Sequence, residues 1–158
     1  MNMTISLPLR AFLLASLLLL QACSGTEDSP EAQVRAFVDA GVEACVARSA
    51  GDIRELLHRD YADQRGNNAE QLTKLLRAYF FRHKNIHLFS RIDTIEILDD
   101  NRASVTLHVA MAGTVISDVE ALAGLRAEVY RFELQLEREE TWQLRHASWS
   151  PASLAVFE

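Results

Sequence analysis

Apolar residues from Val34 to Phe80 recur every three or four positions, and from Ile86 onward they recur every second position. The first rhythm marks helices with one buried face; the second marks strands with alternating faces. Ser29-Pro30 opens the first helix, with Ser29 as N-cap and Pro30 in its first turn. Its stripe is Val34, Phe37, Val38, Val42, Cys45 and Val46, interrupted by Gly41, and Gly51 is expected to end it. Asp52 would cap a short second helix, with Glu55 three residues on and Ile53, Leu56 and Leu57 buried. Residues 58–66 read as irregular. A third helix is expected from Asn67 or Asn68, with Glu70 or Gln71 as capping partner and Leu72, Leu75, Leu76, Tyr79 and Phe80 facing the core.

The first strand, from Ile86 to Ile97, changes parity along its length. Ile86, Leu88 and Ile92 are even; Ile95 and Ile97 are odd. A regular strand cannot bury both sets on one face, so a bulge or bend is expected at Ile92 to Thr94. Asp99-Asp100-Asn101 is a turn. Ala103, Val105, Leu107, Val109 and Met111 alternate in the next strand, which sends Ser104, Thr106 and His108 to the opposite face. Residues 113–124 fit either a continued strand or a crossover, with a helical turn at 119–123. Tyr130, Phe132, Leu134 and Leu136 form a third strand, with Arg131, Glu133 and Gln135 opposite. In the last strand Trp142, Leu144 and His146 share one parity, Ala147 and Trp149 the other, and Ser150-Pro151 stops it.

The N-terminus has a different pattern. Arg10 precedes a short apolar run from Ala11 to Leu20, with Ser16 within it, and Gln21-Ala22-Cys23 follows. The run is about half of what a membrane span requires, and the order of charge, apolar core and small residues is that of a secretory signal peptide, residues 1–22. Leu19-Leu20-Gln21-Ala22-Cys23 resembles the lipobox of bacterial lipoproteins. The resemblance implies cleavage before Cys23, a lipid on Cys23 and a stable hold on the membrane through several chains. Ser24, where that family carries Asp for inner-membrane retention, implies the outer membrane of the bacterial envelope with the domain facing the periplasm. Residues 23–29 would be the lipidated cysteine and its tether. Cleavage would remove one cation, Arg10, and no acid, moving the formal charge from −6 to −7. An acidic chain without a basic patch is not built to hold nucleic acid. Cys45, the other cysteine, would have no disulfide partner and reads as a small buried hydrophobe.

Three helices followed by antiparallel strands, with a long bent first strand and the ending Trp142-Gln143-Leu144-Arg145-His146-Ala147-Ser148-Trp149, resemble the nuclear-transport-factor-2-like superfamily. The resemblance implies an α+β fold over residues 30–151: three N-terminal helices packed on a strongly bent antiparallel sheet, a cone, followed by a C-terminal tail at 152–158. That superfamily includes isomerases, dehydratases and cyclases as well as non-enzymatic dimers and carriers, so fold alone does not choose a function.

The inner wall of such a cone would draw on Tyr61, Tyr79, Phe80, Tyr130, Phe132, Trp142 and Trp149, a set suited to a small apolar ligand; a filled core is the alternative. His146 and Asp93 are the candidate acid/base groups if the chain is a lyase or isomerase, against surface roles for both. His83-x-x-x-His87 lacks a third ligand and straddles a helix–strand junction, so no metal is expected, and no motif calls for a cofactor. Arg77, Arg82, Lys84 and Arg91 read as a cationic end for the third helix or a contact for anionic headgroups. The leading expectation is a non-catalytic, lipid-anchored module for a small apolar ligand or an envelope protein, with a homodimer through the polar sheet face carrying Ser104, Thr106, His108, Arg131, Glu133 and Gln135.

Overall fold

A computed structural model describes residues 29–114 and 127–157. The expected signal peptide, Cys23 and most of the expected tether, and the alternatives for residues 115–124, lie outside the described residues. The order is α1 (Pro30–Val46), α2 (Ala50–Leu56), β1 (Leu57–Asp63), α3 (Ala69–Arg82), β2 (His87–Asp99), β3 (Arg102–Ala112), β4 (Glu128–Arg138), β5 (Trp142–Pro151) and a 3-10 helix, Leu154–Phe157. The five strands form one sheet in the order β1-β5-β4-β3-β2. Its apolar face packs on the helices through Val34 and Val38 of α1 and Ala103, Val105, Leu107 and Leu136 of the sheet. This is the expected α+β architecture. Four apolar clusters form among the described residues, so this unit carries its own core.

The capping chemistry explains the helix boundaries. The Ser29 side chain accepts from Ala32 N, and Asn68 and Gln71 make the reciprocal capping box at the start of α3. The first two helices divide differently from the expectation. Arg48 takes a positive φ of 56° just past α1, and Ser49, not Asp52, caps α2 by accepting from Asp52 N. Gly51 therefore lies inside α2. Gly41 sits mid-helix in α1, and a methyl group there would meet only Leu56 Cδ1, at 3.9 Å. Gly41→Ala is expected to raise stability by about 0.5–1 kcal/mol through helix propensity, read as a higher urea midpoint.

Three of the four register shifts among the described strands set which side chains face inward; the fourth, between Ile97 and Asp99, lies at the β2–β3 turn. The register of β2 on β3 shifts between Ile92 and Thr94, as the parity required, so Asp93 is the extra residue. Leu88, Ile92 and Ile95 then all pack on the main core. In β5, Leu144 pairs with Leu136 and His146 with Gln135, which makes Arg145 a second extra residue. The third lies in the segment expected to be irregular. Residues 57–63 are an edge strand, and it runs parallel to β5, adding a parallel pair to an otherwise antiparallel sheet. Leu57 pairs with Leu144 and Ala62 with His146, so five steps of β1 run against two of β5, and Tyr61 in the surplus packs with Leu57, Ala69 and Ala147.

Residues 152–157 of the expected tail pack on the sheet. Phe157 is buried on the outer sheet face with Ala110 and Val129, against Phe89 and Leu154.

Candidate functional site

Between the helices and the inner sheet face lies a chamber of ≈380 Å³. Its wall takes Phe37, Val42 and Cys45 from α1, Leu72 and Leu76 from α3, and Leu107, Phe132, Leu134, Leu144 and Trp149 from the sheet. Several of these, including Phe37, Leu134 and Leu144, pack on the core yet stay only partly buried. Side chains that face inward and still keep accessible surface border unfilled space, which an ordinary core does not leave.

One turn holds the Trp149 part of the wall in place. Buried Asp63 accepts from Arg65 N at 2.8 Å, Asn67 N at 2.9 Å and Asn67 Nδ2 at 2.9 Å, and Gly66 closes the turn at φ +79°. The neighbouring Gln64 side chain donates to Trp149 O at 2.9 Å and accepts from Trp149 N at 3.2 Å. The Arg65 guanidinium lies 5.3 Å over the Trp149 ring. Phe132 stands 6.2 Å from Trp149 and Tyr130 6.4 Å from Phe132, an aromatic row along the wall.

The wall offers almost no acid/base chemistry. Burial pushes the Cys45 thiol up to about 11, and burial with the Asp63 carboxylate nearby pushes the Tyr61 phenol up as well. Both are neutral at physiological pH, and Cys45 is not poised as a nucleophile. The folded thiol holds its proton more tightly than the unfolded one, so stability is level in this respect below pH 9 and falls as pH rises from 9 towards 11. Wild type is expected to lose about 2 kcal/mol more than Cys45→Ala between pH 8 and pH 10.5 in urea melts. Tyr61 titrates in both proteins and drops out of the comparison.

The two candidate acid/base residues lie outside the chamber. His146 was expected inward with Trp142 and Leu144. The extra residue Arg145 reverses the parity, so Ala147 and Trp149 line the chamber and His146 lies on the outer face beside Gln135 and Ala62. Asp93, pushed out by its bulge, lies 2.9 Å from His108 Nδ1 and 3.6 Å from Arg91 Nε. The first contact misses hydrogen-bond geometry, since Nδ1 has no such partner, so it is an electrostatic contact. His146 and Asp93 are also three strand spacings apart, about 14 Å.

Of the aromatic candidates, Tyr61, Phe132 and Trp149 line the chamber. Two others relate to a polar hollow of ≈190 Å³ that shares Met111 with it, one by lining it and one through a lining residue. Tyr79 lines that hollow with His83, Asn85 and Glu128, and the Tyr130 hydroxyl donates to Glu128 Oε2 at 3.3 Å. Phe80 and Trp142 do not line the chamber. Phe80 is buried with Ala44, Ala50, Ile53 and Ile86 because it faces α2 and the start of β2. Trp142 sits at the β4–β5 turn with Val34 and Leu136. It borders a separate ≈680 Å³ surface hollow whose rim carries Asp52, Glu55 and Glu140.

His83 stacks on Tyr79 at 4.2 Å. Among the described residues no group of three His, Cys, Asp or Glu side chains is placed to hold a metal ion. Arg91, expected with the α3 cations, is on the outer face, stacked on Phe157 at 5.6 Å. His108 is buried, with its ring 6.3 Å from that of Phe157, so the 3-10 helix covers part of the sheet face expected to pair two copies.

No protein-family model matches the chain, and no curated protein matches it. Solved structures do share its shape. One is a domain of unknown function with a cystatin-like fold from Nostoc punctiforme (TM-score 0.61, 14% identity, 82% of this chain and 80% of that one). Another is a ketosteroid isomerase-like protein from Erwinia carotovora atroseptica (TM-score 0.60, 12% identity, 80% and 98%). A third is an NTF2-like protein of unknown function in nutrient uptake from Rhodospirillum rubrum (TM-score 0.59, 15% identity, 76% and 98%). The fold is thus the cone shared by nuclear-transport-factor-2-like and cystatin-like proteins. At these identities the likeness extends to the fold alone.

Proposed function

We propose that this chain is a lipid-anchored periplasmic binding module whose cone holds a small apolar ligand, without catalysing a reaction on it. One observation carries the reading: an unfilled apolar chamber whose described walls hold no group able to exchange a proton near neutral pH. A lyase or isomerase needs an acid or base within hydrogen-bond reach of its substrate, and His146 and Asp93 lie on the other side of the sheet.

The anchor is the lipid on Cys23, and the membrane is the outer one, as Ser24 implies. Alkynyl fatty-acid labelling of cells is expected to mark the wild type and to miss Cys23→Ala; label retained by the variant contradicts the anchor. The described residues begin at Ser29, and close by Arg138 donates to Gln33 beside the β4–β5 turn. The far end of α1 meets Phe80 and Ile86, near the polar hollow. Seventeen helical residues separate these ends by about 26 Å. On this reading the chain leads to its anchor from one pole of the described unit, and the polar hollow lies towards the other.

A homodimer is the partner reading. It would use the part of the outer face that the 3-10 helix leaves open, where Arg131 and Glu133 pair at 3.1 Å. An interface of that kind is polar and moderate in strength. Native mass spectrometry of the protein purified from envelopes tests ligand and assembly together. A copurified apolar adduct supports the module; a bare mass that also takes up no added apolar compound contradicts it.

A further inference from the structure

The chamber and the polar hollow at Met111 together describe more than an apolar ligand. Chamber side chains offer an incoming molecule almost no hydrogen bonds, and burying an unpaired polar group costs about 2–7 kcal/mol. The part held there must be hydrocarbon. At about 30 Å³ per carbon-sized group, ≈380 Å³ takes about a dozen carbons. The adjoining hollow is different in kind. Its lining includes the Glu128 carboxylate, the stacked Tyr79 and His83 rings and the Asn85 amide, and, among the described residues, no lysine or arginine.

Glu128 sets the sign of the charge there. It accepts from the Tyr130 hydroxyl, and its charge is the main reason that the Tyr130 phenol is raised above its ordinary range. The Tyr79 phenol is close enough to act on Tyr130 in the same direction. A carboxylate beside two tyrosines attracts a cation, through Coulomb attraction and through the ring faces. Among the described residues, the opposite charge that acts on Tyr130 is Arg65, which lies over the Trp149 ring and is not part of this lining.

We propose that the ligand is a cationic amphiphile: a hydrocarbon tail of about ten carbons in the chamber and an amine or quaternary ammonium head in the Met111 hollow, against Glu128. The proposal rests on the chamber reading above and adds the head group to it. It also accounts for a polar hollow abutting a chamber that needs none to hold a simple hydrocarbon.

The test uses the chain from residue 24 onward, whose folded unit has its own core, and three probes with the same tail: decyltrimethylammonium, decan-1-ol and decanoate. Isothermal titration below their micellar concentrations is expected to rank them in that order. The ammonium should bind about tenfold tighter than the alcohol, from a partly exposed charge pair and a cation–π contact. Glu128→Gln should bring the ammonium within about twofold of the alcohol and leave the alcohol unchanged. Leu134→Trp, which narrows the chamber, should weaken all three. Decanoate binding as tightly as the ammonium, drawn to Arg65, overturns the head-group assignment and leaves the chamber standing. So does an ammonium preference that survives in Glu128→Gln. Ammonium binding that survives in Leu134→Trp reports attraction to an acidic surface and overturns it too. If none of the three binds, the chamber reading fails and the proposal falls with it.

Discussion

Trp142→Ala is expected to remove about 3–5 kcal/mol of stability. In a domain of this size, that lowers the thermal midpoint by about 10–20 °C. Trp142 is 6% exposed and packs with Val34, Ala103 and Leu136 where α1 meets the sheet. Its indole N–H is buried without a hydrogen-bond acceptor among the described residues, so the loss is one of packing. The Arg138 guanidinium, 5.1 Å over the ring, loses its seat at the same time. Phe81→Ala is the matched control. Phe81 is 87% exposed, and its removal should change stability by no more than about 0.5 kcal/mol. Thermal circular dichroism of the two variants reads the difference directly. A small loss for Trp142→Ala would mean that α1 is not held to the sheet at this end.

Leu134→Trp separates binding from stability. In a filled core the added ring would cost about 1–3 kcal/mol in strain. Leu134 instead borders the chamber from the middle of the sheet, on β4 between β3 and β5. The new ring can enter unfilled space, so stability should hold within about 1 kcal/mol or rise. Apolar ligand binding should fall about 100-fold, because the room for the ligand is gone. A urea melt and a titration with decan-1-ol on the same preparation distinguish the two cases. Loss of stability with binding intact would mean that residue 134 lies in packed protein and that ligand binds elsewhere.

The bend in β2 was legible because a strand with one wet face cannot change parity without an extra residue. Leu88, Ile92 and Ile95 carried that constraint openly, and the register shift falls where they required it. The capping box of α3 was legible for the same local reason: Asn68 and Gln71 are three residues apart, and each satisfies the other's backbone. The second bulge was not legible. Trp142 and Leu144 before it and Ala147 and Trp149 after it change parity too, but His146 was read as a continuation of the first pair. A histidine can sit on either face, so it hid the break. The extra residue, Arg145, meets Glu137 and the Asp60 carbonyl, one on β4 and one on β1, and β1 was not expected to exist.

That edge strand stayed hidden because His58-Arg59-Asp60-Tyr61-Ala62-Asp63 alternates poorly. Most of its length is surplus against β5, and its order comes from Asp63 and the turn it closes. The chamber was half legible. Tyr61, Phe132 and Trp149 were named from their aromatic character. Most of the lining is aliphatic and looks like any core in the sequence, because whether Leu72, Leu107 and Leu144 meet one another or leave a gap depends on how three helices stand on a bent sheet. Glu128 drew no notice as one charged residue at a strand start; its meaning comes from Tyr130, Tyr79 and Met111 around it.

Calorimetric titration of the chain from residue 24 onward with decan-1-ol tests the central claim most directly, since the alcohol needs the chamber and nothing from Glu128. The account predicts saturable binding of one molecule per chain, with a negative heat-capacity change from buried apolar surface, and its loss in Leu134→Trp. Heats that never saturate, or a Leu134→Trp protein that binds as the wild type does, would contradict it.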